Sequence, residues 1–320
     1  MPPALRNISR WIFRIPANET TFARRGFHDG NRLASLHLEQ VGRSFVYGYD
    51  AALYDHNLQT LTQRLDRLEA EWRGFAFEGA AMALTLMDHL SPWRGGRLRA
   101  FLADHAAAHT YMVHVGAGWA IARLMWLRLR VEVCLGELDV LLRWLAVEGY
   151  GFHQGYFHWQ RFVVAREIPK RLVGYNCRAF DQGLGRSLWF VEGTDVDRIA
   201  TTIGKFASLR QRDLWSGIGL ACAYAGGADF TSIEALKIAA GRYSPELAQG
   251  GAFAAKARQR AGIQTKHTDL ACRVFCELSA EEAAAVTDEA LKDIPPDEDK
   301  PAYEVWRDRI RTTFVARNSV

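Results

Sequence analysis

Three ionisable residues stand out as candidates for catalysis because of the strings in which they lie. Glu78 lies on the otherwise apolar helix string FAFEGAAMA, His114 interrupts MVHVGAGWAIA, and His153 lies in the glycine-rich string EGYGFHQGY. A carboxyl group in apolar surroundings is either paired with an arginine or has a raised pKa, and a histidine titrates near neutrality. Such groups suit proton transfer, so these three residues are the predicted catalytic groups.

The string around His153 occurs twice in the chain. Gly26 begins GFHDG and Gly151 begins GFHQG, 125 positions apart. We expect a glycine-flanked turn that presents His28 or His153 at a bend in each copy. Two interpretations stay open. Either each imidazole caps a helix or bonds a backbone carbonyl, or the two histidines form a facing acid–base pair.

A second pair of strings supports an internal duplication. YDAALYDHNL begins at Tyr49 and YNCRAFDQGL at Tyr175, which makes Asp55 equivalent to Asp181. We expect both aspartates at matching helix connections, as caps or paired with arginine. The string WSGIGLACAYAG also resembles the first helix of a tetratricopeptide unit, but we find no 34-residue repetition of it.

Differences between the copies point to a site. FEGAAMA is 138 positions from WSGIGLA, so Glu78 corresponds to Ser216, and a charge kept in only one copy suggests function. Aromatic residues make up 12% of the chain, including ten tryptophans, which favours a large apolar ligand cavity. The predicted ligand-binding residues are Trp119, Tyr156, Asp181, Arg186, Trp189 and Trp215.

Metal and cofactor signals are weak. His105 and His109 are four residues apart, a spacing that can bind a metal on a helix. They form no HExxH motif, however, and His109 corresponds to Gly241 in the second copy. No nucleotide-binding glycine motif and no GxSxG nucleophile motif occurs. The sequence therefore predicts neither a cofactor nor a metal, with His105 and His109 as weak metal candidates.

Composition limits the class of protein. The chain has 320 residues, a net charge of +4 and no long basic run, which argues against nucleic-acid binding. Five cysteines and the lack of a long apolar stretch favour a cytoplasmic protein. Residues 1–16 interleave arginines with apolar residues, so they are expected to dock on the protein body or to touch a membrane surface.

The apolar spacing is helical along most of the chain. Leu58, Leu61, Leu65 and Leu68 recur three or four positions apart, and LRLRVEV near Val131 is the only strand-like run. The sequence predicts an all-α protein in which two pseudo-symmetric helical repeats of about 125 residues form one α-solenoid-like body. The predicted segments are an arm (1–25), two halves (26–150 and 151–278) and a C-terminal helical cap (279–320).

Several strings together resemble a bacterial family, the UnbL-type enediyne biosynthesis proteins. They are VGRSFVYGYDAAL, RGFAFEGAAMA, HTYMVHVGAGWAIARL, EGYGFHQGYF, AFDQGLGRSLWF and DLWSGIGLACAYAGG. The likeness covers about residues 26–227, and it departs at Glu148, where an aspartate is expected. The resemblance implies a role in converting a linear polyene into an enediyne core, beside a polyketide synthase and an integral-membrane protein. It supplies no catalytic residue.

Two functional hypotheses follow. In the first, the protein is an accessory protein of enediyne biosynthesis that binds or processes a long unsaturated polyketide intermediate in an aromatic-lined cavity. Its partners are then a hydrophobic polyene and other proteins of the pathway. In the alternative, the protein is a non-catalytic helical-repeat scaffold that docks a synthase or a membrane partner.

Overall fold

The computed structural model describes residues 15–55, 57–90, 95–125, 135–136, 138–297 and 300–317. These residues form fifteen α-helices and no β-strand, which confirms the all-α prediction. The strand-like run LRLRVEV lies outside them. The helices are α1 (Phe22–Arg25), α2 (Arg32–Tyr54), α3 (Leu58–Asp66), α4 (Ala70–Leu90), α5 (Arg97–Ala100), α6 (Thr110–Leu124), α7 (Arg143–Phe157), α8 (Tyr175–Val191), α9 (Val196–Gly204), α10 (Ser208–Ala225), α11 (Phe230–Ala240), α12 (Ser244–Arg260), α13 (Lys266–Phe275), α14 (Ala280–Leu291) and α15 (Ala302–Arg317).

Seven long helices form a consecutive series, in which each helix packs against the next: α2, α4, α6, α7, α8, α10 and α12. The shorter helices α9, α11 and α13 follow long helices and pack against one another in turn. The last two helices, α14 and α15, both pack on α12. This nearest-neighbour packing is that of an α-solenoid, with the long helices as one layer.

Side-chain caps fix where several helices begin. Asn31 accepts hydrogen bonds from the backbone N–H groups of Leu33 and Ala34 at the start of α2. At the start of α14, Ser279 and Glu282 form a reciprocal capping box. These caps satisfy backbone donors that have no partner inside the helix, so they set the boundaries of the solenoid units.

Glycines let the long helices approach closely. A methyl group at Gly183 of α8 would overlap the carbonyl oxygen of Glu148 of α7, and one at Gly149 would overlap that of Val115 of α6. Equivalent backbone contacts recur every 33 or 34 residues, at Gly116, Gly149, Gly183, Gly217 and Gly250. The spacing of about 34 residues that sequence analysis did not find is therefore present, carried by these glycines rather than by a string.

The two GFHxG strings occupy different places, so their predicted equivalence is wrong. Gly26 ends α1 in a left-handed conformation, and His28 lies in the connection to α2. In contrast, Gly151 and His153 lie inside α7. Gly151 makes room for the backbone of α8 at Phe180, and Gly155 makes room for the Ser187 side chain, so neither forms a turn.

The predicted equivalence of Asp55 and Asp181 is wrong as well. Asp55 follows the last residue of α2 and pairs with Arg64, whereas Asp181 lies inside α8. A shift of 126 positions is not a whole number of 34-residue units, while the 138 positions between Glu78 and Ser216 correspond to about four. The boundary predicted between residues 150 and 151 falls inside α7.

Contacts between distant parts of the series close the body on itself. Arg258 of α12 donates one hydrogen bond to the carbonyl oxygen of Glu71 in α4 (2.9 Å) and another to that of Tyr224 in α10 (2.7 Å). A ring nitrogen of His37 in α2 lies 2.6 Å from the carbonyl oxygen of Ala225. The first long helices therefore contact the ends of the last ones, and the layer of long helices surrounds a packed interior.

No helix within the described ranges is long and apolar enough to cross a membrane. The predicted N-terminal arm is described only from Ile15, and a 3₁₀ turn (Ala17–Thr20) precedes α1. The proposed membrane contact of residues 1–16 falls almost wholly outside the described residues.

Candidate functional site

Three charged side chains from helices α4, α7 and α8 lie in the interior. Glu78 of α4 and Glu148 of α7 are each only 1% exposed, and Arg186 of α8 is 3% exposed. Arg186 Nη1 donates a hydrogen bond to Glu148 Oε1 over 3.0 Å. Of the two carboxyl groups, Arg186 is bonded to that of Glu148 alone, but its charge also acts on Glu78, and we call these three residues the interior charge cluster.

Burial shifts the pKa values of both carboxyl groups. Burial raises the pKa of Glu78 to about 7, against the opposing effects of Arg186 and the Trp119 indole, and Glu148 adds to the rise. Burial also raises the pKa of Glu148, again opposed by Arg186. Near neutral pH, Glu78 is therefore able both to donate and to accept a proton.

Several polar atoms in this region have no hydrogen-bond partner. They are Glu78 Oε1, Glu148 Oε2, Arg186 Nε, Gln182 Oε1 and Gln182 Nε2. Buried polar atoms are nearly always hydrogen-bonded in proteins, so such a concentration is unusual. These atoms remain available to water or to a ligand.

Two small apolar cavities flank the interior charge cluster. The first has a volume of about 40 Å³ and touches Glu78, and we call it the inner cavity. The second, of about 30 Å³, touches Glu148 and Arg186. Each holds only about two or three water-sized occupants. Both are far smaller than the expected large apolar cavity, because aromatic side chains fill the space around the inner cavity.

Trp119 of α6 is the central aromatic residue of the inner cavity. Its ring centroid lies 4.6 Å from that of Phe45, 4.9 Å from that of Phe152 and 5.4 Å from that of His153. Tyr156 also lines this cavity. Two predicted ligand-binding residues thus lie beside Glu78, and Trp119 connects Glu78 to His153.

His153 is buried with no hydrogen bond to either ring nitrogen. Burial lowers its pKa well below the usual range, and the positive charges of Arg123, His158 and Arg25 lower it further. At neutral pH the ring is therefore neutral, so one nitrogen donates and the other accepts.

A wide cleft opens on the other side of His153. Its volume is about 900 Å³, within the range of small-molecule sites, and we call it the basic cleft. Phe157 lines both the basic cleft and the inner cavity. The half-buried side chain of this one residue, together with buried His153, thus separates a ligand-sized cleft from the interior.

His114, the third predicted catalytic residue, lies apart from the cavities. Its Nδ1 lies 2.7 Å from the carbonyl oxygen of Thr110, one turn earlier in α6, and its Nε2 has no partner. Burial lowers its pKa. His114 lines neither the inner cavity nor the basic cleft.

The weak metal candidates do not share a helix face. His105 ends a π-helical turn (Phe101–His105), and His109 ends a separate 3₁₀ turn (Ala107–His109). His109 stacks on Phe77 with a centroid distance of 4.0 Å, and burial lowers its pKa to about 4. Among the described residues, no group of three or more metal-binding side chains occurs.

Three other predicted ligand-binding residues have contacts typical of packing. Asp181 pairs with Arg210, which opposes the effect of burial, and the net result raises the pKa of Asp181 to about 6. Trp189 donates its indole N–H to the carbonyl oxygen of Gly226 over 2.9 Å. Trp215 is buried in α10 and lines none of the cavities described above.

Sequence analysis assigned no role to Glu148 or Phe157. A sequence pattern could have identified Glu148. In five of the long helices, a polar residue directly precedes a glycine that lies against the backbone of a neighbouring helix. These residues are Glu78, Glu148, Gln182, Ser216 and Gln249. All five are buried. No comparable signal marks Phe157, whose position depends on how α7 meets α1 and α6.

Comparison with known protein families gives one result. Residues 4–314 match the model of a family described as a protein of unknown function, DUF1702. Neither the curated proteins nor the solved structures contain a match to the chain. Because the match spans nearly all of its residues, the chain belongs to the DUF1702 family.

Proposed function

We propose that the protein binds a long unsaturated polyketide intermediate of enediyne biosynthesis and moves a proton on it through Glu78. The observation that carries the proposal is that Glu78, a buried carboxyl with a partnerless Oε1, touches an aromatic-lined cavity. The likeness of the helix strings to UnbL-type proteins supports the class of ligand.

The small size of the inner cavity defines how the ligand would enter. An unsaturated chain would lie in the basic cleft with one end directed past Phe157, whose side chain would have to rotate. The inner wall is aromatic, with Phe45, Trp119, Phe152 and Tyr156. Flat rings of this kind pack well against a conjugated chain, because both are planar and polarisable.

The proposed reaction is a shift of double bonds without net oxidation. The protonated Glu78 carboxyl gives its proton to one carbon of the conjugated chain: its O–H bond breaks, a π bond of the chain supplies the electron pair of the new C–H bond, and a delocalised carbocation remains on the chain. A C–H bond at another carbon then breaks, its electron pair becomes the new π bond, and the proton returns to the Glu78 carboxylate. A pKa near 7 suits both directions of this transfer.

Deuterium exchange tests the proposal. The full chain is incubated with a synthetic linear polyene in D₂O, and mass spectrometry records deuterium bound to carbon. We expect incorporation with the wild type and a loss of at least about 100-fold with Glu78→Gln, the usual contribution of one general acid–base. The matched control is Glu192→Gln, since Glu192 is buried but pairs with Arg198 outside the inner cavity.

Tryptophan fluorescence separates binding from chemistry. We expect the polyene to quench the wild type, and Trp119→Phe to remove most of the change because Trp119 lines the inner cavity. Absence of both quenching and deuterium incorporation in the wild type contradicts the proposal. Quenching without incorporation favours the scaffold or a shielding role over catalysis.

A further inference from the structure

Positive charge is concentrated around the basic cleft although the whole chain carries only +4. None of the fifteen described residues that line it is acidic. Five of them are basic residues: Arg25, Arg123, Arg161, Lys170 and Arg171. A cleft lined by one sign of charge attracts ligands of the opposite sign.

Within the described ranges, two of these cations have a carboxylate partner. Arg25 pairs with Glu19, and Arg161 pairs with Glu167 at 2.6 Å. Among the described residues, no carboxylate forms an ion pair with the other three, Arg123, Lys170 and Arg171. These three cations converge from two segments, the end of α6 and the stretch before α8.

A second observation is independent of the surface charges. His153 lies in the wall of the cleft, is 5% exposed and has no partner for Nδ1 or Nε2. A buried imidazole normally hydrogen-bonds with at least one nitrogen. Its N–H group is therefore a free donor inside a site that is already basic.

We propose that the basic cleft binds the phosphoryl group of a small-molecule ligand, held by Arg123, Arg171 and the ring of His153. Guanidinium groups bind phosphate with two parallel hydrogen bonds, and several cations are needed to balance a dianion. Tyr150, Phe157 and Phe162 line the same cleft, so the rest of the ligand has apolar rings to contact. This site lies in the basic cleft through which the proposed function leads the unsaturated chain, on the far side of Phe157 from Glu78, and its test does not use the proposed proton transfer.

Calorimetric titration of the full chain with sodium pyrophosphate tests the assignment. We expect binding in 150 mM NaCl, and at least 10-fold weaker affinity for Arg123→Gln and for Arg171→Gln. The control is Arg273→Gln, which removes the same charge from an exposed arginine of α13 and should change the affinity less than 2-fold. No wild-type binding at 10 mM pyrophosphate, or equal weakening by the control, overturns the proposal.

The response of His153 locates the bound anion. With ¹³C-labelled histidine, the signal of His153 among the ten histidines is identified by its loss in His153→Gln. A bound anion offsets the charges of Arg25, Arg123 and His158, so the pKa of His153 should rise on saturation with pyrophosphate. Binding that leaves the titration of His153 unchanged places the anion elsewhere and overturns the assignment.

Vesicles distinguish a soluble ligand from a lipid headgroup. Co-sedimentation with vesicles of phosphatidylcholine and phosphatidylglycerol is measured with and without pyrophosphate. Binding to soluble pyrophosphate without co-sedimentation supports a small-molecule ligand. Co-sedimentation without affinity for soluble pyrophosphate contradicts it. Either result is independent of the deuterium-exchange test of Glu78.

Discussion

Two buried groups of charges use the same residue types, but their carboxyl groups have different numbers of hydrogen-bond donors. The interior charge cluster has two carboxyls, Glu78 and Glu148, for one guanidinium. Where α15 packs on the rest of the body, Asp213 of α10 and Glu304 of α15 contact three guanidinium groups, and we call these residues the C-terminal network. The guanidinium groups are those of Arg178, Arg307 and Arg311.

Glu304 shows the effect of several donors on one buried carboxyl group. It accepts hydrogen bonds from Tyr175 (2.6 Å), Arg307 (3.2 Å) and Arg311 (2.7 Å). Burial alone would raise its pKa, but the three arginines and Tyr175 outweigh burial and lower it to about 2. A carboxyl with surplus donors is a fixed anion that anchors a helix, whereas a carboxyl with too few, as at Glu78, can exchange a proton.

The largest expected effect is the loss of Arg307. Arg307→Met leaves Asp213 and Glu304 with fewer buried partners, and removing one member of a buried ion pair destabilises a protein by about 3–5 kcal/mol. Urea denaturation at pH 7 measures the change in the free energy of unfolding. Arg273→Met is the control, because its arginine is 63% exposed and such pairs contribute about 0–1 kcal/mol. Equal effects of the two substitutions would show that the C-terminal network does not anchor α15.

The next largest effect is the change in the free energy of unfolding with pH, which has opposite signs for Glu78 and Glu304. Glu78 has a pKa of about 7 when folded and an ordinary value of 4.5, so its ionisation weakens folding as the pH rises through this window. The stability of Glu78→Gln relative to wild type should therefore rise by about 3 kcal/mol between pH 4.5 and pH 8.

Glu304 provides the reverse case. Its pKa is lower in the folded protein, so its stabilising contribution is present above about pH 4.5 and is lost as the pH falls towards 2. Glu304→Gln should therefore cost most at neutral pH. Urea denaturation across the pH range measures both variants, and parallel pH profiles for them would contradict the difference between the groups.

A smaller effect is expected at the helix contact that positions Glu148. Gly183→Ala places a methyl group against the Glu148 carbonyl oxygen, and such overpacking costs about 1–3 kcal/mol. Gly204→Ala is the control, because a methyl group there meets no atom within 4 Å. Thermal denaturation compares the two. A stability gain in both variants would show that α7 and α8 can separate without penalty.

The sequence predicts the class of fold but not the register of its repeats. Helical spacing of leucines is local, so the all-α prediction needs no tertiary information. The string matches led to a shift of about 125 residues, whereas the packing depends on single glycines such as Gly149 and Gly183. Glycine is too common in the chain for a single one per repeat to reveal the repeat from one sequence. Its contacts with the neighbouring backbone nevertheless define the 34-residue unit.

The candidate site was predictable only where one residue had an unusual local context. Glu78 and His153 each interrupt an unusual string, and the structure places both beside Trp119. The pairing of Glu148 with Arg186 joins residues 38 positions apart on two helices, so it depends on how α7 and α8 cross. Local sequence does not determine that geometry.

The contacts between distant helices couple the two ends of the series. A linear solenoid can lose its end units one at a time, since each unit touches only its neighbours. Here, Arg258 joins α12 to the backbone at Glu71, 187 positions earlier, and His37 reaches Ala225. Fraying of α2 therefore breaks a contact with the end of α10, and fraying of α12 breaks a contact with α4. We expect these helices to unfold together as one cooperative unit rather than progressively.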